Sequence, residues 1–169
     1  MIGALLVMVL AAAPAAPKAS AVECVSGFYS VYQHMPPYGI PDAASLAKLR
    51  QFLSRRLQQL LARADKYRAK YERENPGDKP PFVDGDLFSS SFEGFTRFSV
   101  GDAKGDASRI RVPVHFEYNE SRSKHGGVKW TDIVVVIQED RGYVIDDIEF
   151  GASWPFANHG KLSQFLKVP

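Results

Sequence analysis

The chain reads as an α+β domain in which helices come first and antiparallel strands follow. Three observations carry that reading. Apolar residues recur at helical spacing as far as Tyr71. From Phe92 onward the apolar period is two, and turns containing Gly and Asp separate the alternating runs. The expected architecture is N-terminal helices, one of them long, packed on a curved antiparallel four-strand meander. With 169 residues, 45% hydrophobic and 24% charged, the chain has the length and composition of one globular domain. Its net charge of +2 is too small to argue for nucleic acid.

The first residues read as an address. Met1 to Leu10 (MIGALLVMVL) form an apolar run without a basic start, and Ala19-Ser20-Ala21 is the small-x-small pattern cut by signal peptidase. Residues 1–21 are therefore expected to be a signal peptide and 22–169 a single domain, periplasmic or secreted. The run is too short to span a membrane, so no stable membrane anchor is expected. Cys24 follows Glu23, not the small residue that lipidation wants. A lone cysteine has no intramolecular partner. It reads as a semi-buried thiol on the first helix, or as half of an intermolecular disulfide in an oxidising compartment.

The elements follow in order. Val25, Phe28, Tyr29 and Tyr32 make one stripe of a short helix, which His34-Met-Pro-Pro-Tyr-Gly-Ile-Pro41 breaks. Asp42 is the expected cap of the long helix, whose apolar face is Leu46, Leu49, Leu53, Leu57, Leu60, Leu61, Tyr67 and Tyr71, and which Pro76-Gly77 ends. Its other face carries nine cations (Lys48, Arg50, Arg55, Arg56, Arg63, Lys66, Arg68, Lys70, Arg73) against Asp42, Asp65, Glu72 and Glu74, nine minus four or +5. The remainder is then about −3, so the charge is polarised. Phe92 to Val100 is the expected first strand and Gly101 to Asp106 a turn. Arg109 to Tyr118 alternates, with Ile110, Val112, Val114, Phe116 and Tyr118 on one side. His125-Gly-Gly127 is the next turn. Lys129 to Gln138 is apolar on both faces, as a strand covered on both sides would be. Glu139 to Gly142 turns the chain into Tyr143-Val-Ile-Asp-Asp-Ile148, where simple alternation puts Val144, Asp146 and Ile148 on one face and Asp147 with Glu149 on the wet one. Leu162, Phe165 and Leu166 suggest a closing helix.

Taken together, these motifs resemble the nuclear transport factor 2-like superfamily of cone-shaped α+β domains. More narrowly they resemble the bacterial exported family called domain of unknown function 3828. The residues that carry the likeness are Phe28-Tyr29-Ser-Val-Tyr32, Gly85-Asp86-Leu-Phe88, Tyr143 to Ile148, and Lys161-Leu-Ser-Gln-Phe-Leu166. The resemblance implies a fold and leaves activity open, because one fold hosts many functions. Cone-shaped enzymes of the superfamily use an Asp, His or Tyr inside the pocket. That makes Asp146, Tyr118, Asp86 and His115, with Glu117, the pocket candidates.

The chemistry is otherwise sparse. The four histidines (His34, His115, His125, His159) have no i, i+4 spacing, and no metal or cofactor is expected. Ser89-Ser-Ser91 is not a nucleophile elbow, and no catalytic set is assigned. On the polar face of the second alternating run His115 and Glu117 read as solvent-facing, and Asp86 reads as a turn pin. The basic helix face, through Arg50, Arg55, Arg56, Arg63, Lys66 and Lys70, reads either as solvated or as a surface for an acidic protein partner. No aromatics interleave there, so single-stranded nucleic acid is not indicated. The strand from Lys129 to Gln138 has apolar residues to spare and is a candidate homodimer face.

Two functional readings remain. The first is an exported, non-catalytic protein that recognises another protein, in the manner of an immunity or inhibitor protein. The second is a cone pocket for a small molecule, an isomerase- or hydrolase-like enzyme with an inward acid. The export reading has a direct check: N-terminal sequencing of protein recovered from the exported fraction is expected to begin at Val22, whereas an unprocessed Met1 would contradict it.

Overall fold

Leucine spacing runs unbroken from Leu46 to Leu61, yet the chain does not form one helix there. A computed structural model describes residues 17–36, 38–106, 108–119 and 127–169. Helix α1 spans Pro17–Tyr32, α2 Ala43–Leu49 and α3 Arg55–Glu74, with a 3-10 turn at Arg50–Phe52 between the last two. The expected single long helix is thus two. Leu53 and Ser54 are extended, with ψ of 139° and 154°. Ser54 caps α3 by accepting from the Leu57 amide at 3.0 Å, and Asp42 caps α2 by accepting from the Ser45 amide at 2.7 Å. The break leaves no orphan carbonyls at Arg50 and Leu53. The Gln58 amide donates to both, at 3.1 and 2.8 Å, and the Arg141 guanidinium also reaches both.

The strands are β1 (Arg97–Val100), β2 (Lys104–Asp106), β3 (Arg109–Tyr118), β4 (Val128–Glu139) and β5 (Gly142–Glu149), followed by α4 (Leu162–Phe165). All pairings are antiparallel, in the order β1-β3-β4-β5, with β2 on the same edge of β3 as β1. The protein is α+β with an open antiparallel sheet of five strands. The meander is therefore not four-stranded. Half of the expected turn at Gly101 to Asp106 is the short strand β2, and the first strand starts at Arg97 because residues 85–95 spend their polar groups elsewhere. The turn expected at His125 lies outside the described residues, as do residues 1–16. Helix α1 continues through the expected cleavage point, with Ala21 fully buried.

Aromatic rings fill the space between α1 and the sheet. Phe28 stacks on Tyr32 (5.7 Å) and meets Phe88 edge-on (5.2 Å). Tyr29 lies against Phe116 (5.1 Å), Phe116 on Trp130 (5.3 Å) and Trp130 against Trp154 (5.6 Å). Such pairs add about 0.5–1.5 kcal/mol each beyond their burial. The inner side of β3 is Ile110, Val112, Val114 and Phe116, as its alternation requires. The outer side of β4 is less open than expected for a homodimer face, because Val135 is already fully buried within the chain.

The largest departure is in β5. Val135 pairs with Asp147 but Val136 pairs with Ile145, so Asp146 is a bulge with no partner across the ladder. The faces after the bulge are reversed. Ile145 and Ile148 both point to the core, opposite Val136 and Val134, and Asp147 is the more buried acid, at 5% exposure. The expectation that Asp147 sits at a wet rim is corrected: it accepts from the Ser163 amide and hydroxyl (2.9 and 2.6 Å) and so caps α4. Asp146 instead reaches back to α3. It accepts from the Ser54 hydroxyl at 2.7 Å and from the Arg56 guanidinium at 2.8–3.1 Å.

Ser54 thus joins the helix cap to the bulge with one buried hydroxyl. Replacing it with Ala is expected to lower stability by about 2 kcal/mol, read as a drop in urea midpoint. An unchanged midpoint would show the break to be held elsewhere.

Candidate functional site

Two concavities stand out. The larger, about 850 Å³, lies between α2, α3 and the loops around Tyr38 and Phe82. The smaller, about 470 Å³, lies on the outer sheet face. It is made by two rungs of outward side chains, Arg97–Glu117–Lys129 and Ser99–His115–Thr131. His115 is exposed there, its Nδ1 2.8 Å from the Thr131 hydroxyl.

The groove owes its shape to the helix break, which lets α2 and α3 diverge. Its end wall is made by two loops stitched together. The Gly39 amide donates to the Gly85 carbonyl (2.8 Å) and the Ile40 amide to the Phe82 carbonyl (3.0 Å). Gly39 has φ +61°, and a Cβ there would sit 1.9 Å from the Phe82 oxygen, so only glycine fits. Phe82 itself has φ +60°, a strained conformation for a bulky residue that clusters at functional surfaces. Its ring meets that of Phe165 at 5.7 Å, and Tyr38 and Phe165 are 70% and 45% exposed. Leu46, Leu53, Leu61 and Ala62 supply further apolar lining.

The carboxylates of the groove are engaged, as are Arg55 and Arg68. Asp42 caps α2, and the Ser45 amide and hydroxyl hold its carboxyl below the ordinary value. Asp65 accepts from Arg68 at 2.8 Å. Arg55 chelates Asp140 with both contacts at 2.7–2.8 Å, and its backbone amide donates to Glu139. A carboxylate at a helix N-terminus also meets the positive end of the helix dipole.

The expected partner-binding face therefore divides. Arg55 and Arg56 are committed to Asp140 and Asp146 in the first turn of α3, so Arg56 is a structural clamp. Lys70 lies 3.8 Å from Glu74. Arg50, Arg63 and Lys66 are exposed and have no ion-pair partner among the described residues.

Of the expected pocket residues, His115 and Glu117 line the smaller concavity and the others line neither. Tyr118 is half-buried at the end of β3, packed on the core. Asp146 is ion-paired: burial pushes its carboxyl up, but bonds from Arg56 and Ser54 outweigh that and leave it below its ordinary value. Asp86 is buried and pins its own loop, accepting from the Tyr32 hydroxyl (2.7 Å), the Phe88 amide (2.7 Å) and the Ser89 hydroxyl (2.9 Å). Burial nevertheless raises its pKa to about 6.

One acid escaped the sequence reading. Asp132 is fully buried on the inner side of β4, between Trp130 and Val134. It accepts from the Ser90 amide (2.8 Å) and hydroxyl, the Gly151 amide (2.8 Å) and the Trp130 indole (3.3 Å). Its pKa is raised by burial against those bonds. Asn158 completes the network by donating to the carbonyls of Asp86 and Ser89, both at 2.9 Å. Every buried side-chain nitrogen or oxygen among the described residues has a partner. Burial also pushes the Cys24 thiol up to about 11, so it stays protonated and poorly nucleophilic. Among the described residues no three His, Cys, Asp or Glu side chains converge as a metal site would need, and no helix is long and apolar enough to cross a membrane.

Asp86 gives a pH signature of known sign. Its folded pKa lies near 6, above the ordinary 3.8, so the folded chain holds the proton more tightly. Its contribution is full below pH 3.8 and is lost as pH rises to about 6, a change on the order of 3 kcal/mol. Asp86→Asn should cancel that slope. Stability curves of the two proteins are expected to diverge between pH 4 and 6 and run parallel above; parallel curves throughout would refute a raised pKa.

No family model and no curated protein matches this chain. Among solved structures the chain is similar to a protein of unknown function from Bacteroides thetaiotaomicron VPI-5482, at 16% identity and a TM-score of 0.37, over 78% of this chain and 87% of that one.

Proposed function

We propose that this chain is an exported, non-catalytic binding protein with a nuclear transport factor 2-like fold that recognises another protein, as an immunity or inhibitor protein does. The observation that carries the reading is the contrast between the acids and the groove. The buried acids Asp86, Asp132 and Asp147 are all bonded internally and line neither concavity. The groove carboxylates cap a helix or pair with arginine. A general acid or base needs a carboxyl within reach of a substrate proton, and the groove offers none that is unengaged.

The aromatic filling beneath the sheet also weighs against the cone-pocket enzyme, which needs an inward acid in an apolar cavity. The groove is open along one side, whereas small-molecule sites enclose most of their ligand. Exposed aromatics beside unpaired cations are the composition of protein interfaces.

The test is in vivo crosslinking of tagged protein in its native cells, followed by size-exclusion chromatography of the exported fraction. One heterologous protein in stoichiometric complex, whose activity the chain suppresses on co-expression, is the expected result. A chain that elutes alone under every condition, or that turns over a small substrate, would contradict the proposal.

A further inference from the structure

We infer that the groove between α2 and α3 receives an acidic amphipathic helix of the partner, an assignment that rests on the protein-recognition reading above. Helix α3 divides its surface into distinct stripes. At about 100° per residue, Leu57, Leu61 and Ala64 form one stripe, and all three are buried in the core. Gln58, Ala62 and Asp65 form a second stripe roughly 100° away, and they line the groove. Lys66 and Arg73 fall on the next flank, within about 70° of the groove stripe, with Arg63 beyond them. These three cations are exposed and have no ion-pair partner among the described residues, and Arg50 faces the groove from the 3-10 turn with the same standing. The groove thus has an apolar floor, an aromatic end at Tyr38 and Phe82, and a cationic flank on the solvent side.

An occupant must match all three. The lined stretch of α3 runs from Arg55 to Arg68, which at 1.5 Å per residue is about 20 Å. Both main walls are helices whose backbone groups are bonded internally, so there is no strand edge to pair with an extended peptide. A helix satisfies its own backbone and presents only side chains, which is the helix-in-groove mode. Its apolar face would meet Ile40, Leu46 and Ala62, and an acidic edge would meet Lys66, Arg73 and Arg50. That charge match makes association salt-dependent. The cationic flank carries no interleaved aromatics, which disfavours nucleic acid.

The test pans a phage-displayed library of peptides about 16 residues long on the purified protein. The expected winners are acidic, with apolar residues at helical spacing. Their binding should weaken at least about tenfold in Ala62→Trp, which fills the groove, and in Lys66→Glu/Arg73→Glu, with unchanged thermal midpoints in both. Winners that are basic or unpatterned, that bind Ala62→Trp as well as wild type, or that are outcompeted by anionic vesicles would overturn the assignment. The crosslinked complex separates the two levels. If it survives both variants, the groove assignment fails while protein recognition stands. If no complex and no patterned peptide is found, the recognition reading fails as well.

Discussion

A carboxylate expelled from a strand sets the position of everything on the helical side of this protein. The bulge at Asp146 removes that residue from the β4–β5 ladder and turns it toward the start of α3. There it takes the Ser54 hydroxyl and the Arg56 guanidinium. The Ser54 amide meanwhile donates to the Ile145 carbonyl at 2.8 Å, so the chain at the helix break is an extra rung on the sheet edge. A continuous helix could not make that bond, because its amides are spoken for internally. The β4–β5 turn closes the arrangement through Glu139, Asp140 and Arg141. With α3 fixed there and α2 fixed by its own cap, the two helices diverge and the groove follows.

The second fixed point is the polar interior. Asp132 and Asp86 hold the run from Asp86 to Ser91, and Asp132 with Ser90 also holds the backbone at Gly151. A Cβ at Gly151 would lie 2.0 Å from the Thr131 oxygen, so the close approach depends on glycine. Networks of this kind are stable only when complete, since an unpaired buried donor costs about 1–3 kcal/mol. Completeness is also why these acids are architectural. They accept several hydrogen bonds each, their surroundings are closed, and burial is what raises the pKa of Asp86 and Asp132.

Several elements were legible in the residues themselves. Arg109 to Tyr118 is a strand because its alternation leaves no other face to bury, and the stripe Val25, Phe28, Tyr29, Tyr32 packs as read. Asp42 is a cap as its position implied. The helix break was not legible, because Leu49, Leu53 and Leu57 keep perfect spacing across it. What makes the break is Ser54, and a serine inside a leucine-rich run signals a cap only once a strand edge is known to lie beside it. The bulge was likewise hidden. Period-two reasoning assumes that each residue has a partner, and one unpaired residue reverses every face beyond it. Asp147 keeps the outer face with Glu149, as alternation implies, but Ser163 of α4 packs onto it there and buries it. Asp132 could have been found: it shares parity with Trp130, Val134 and Val136, and a lone acid on a core-facing stripe implies a buried network. Its donors, Ser90 and Gly151, are distant in sequence and carry no local signal.

Asp146 holds the break from which the groove is made. Hydrogen exchange of Asp146→Ala measures this most directly. Amides from Ser54 to Gln58 are expected to lose protection while those of β3 and the β3-facing part of β4 keep it. Unchanged protection at Ser54 to Gln58, or an equal loss across the whole sheet, would contradict the claim.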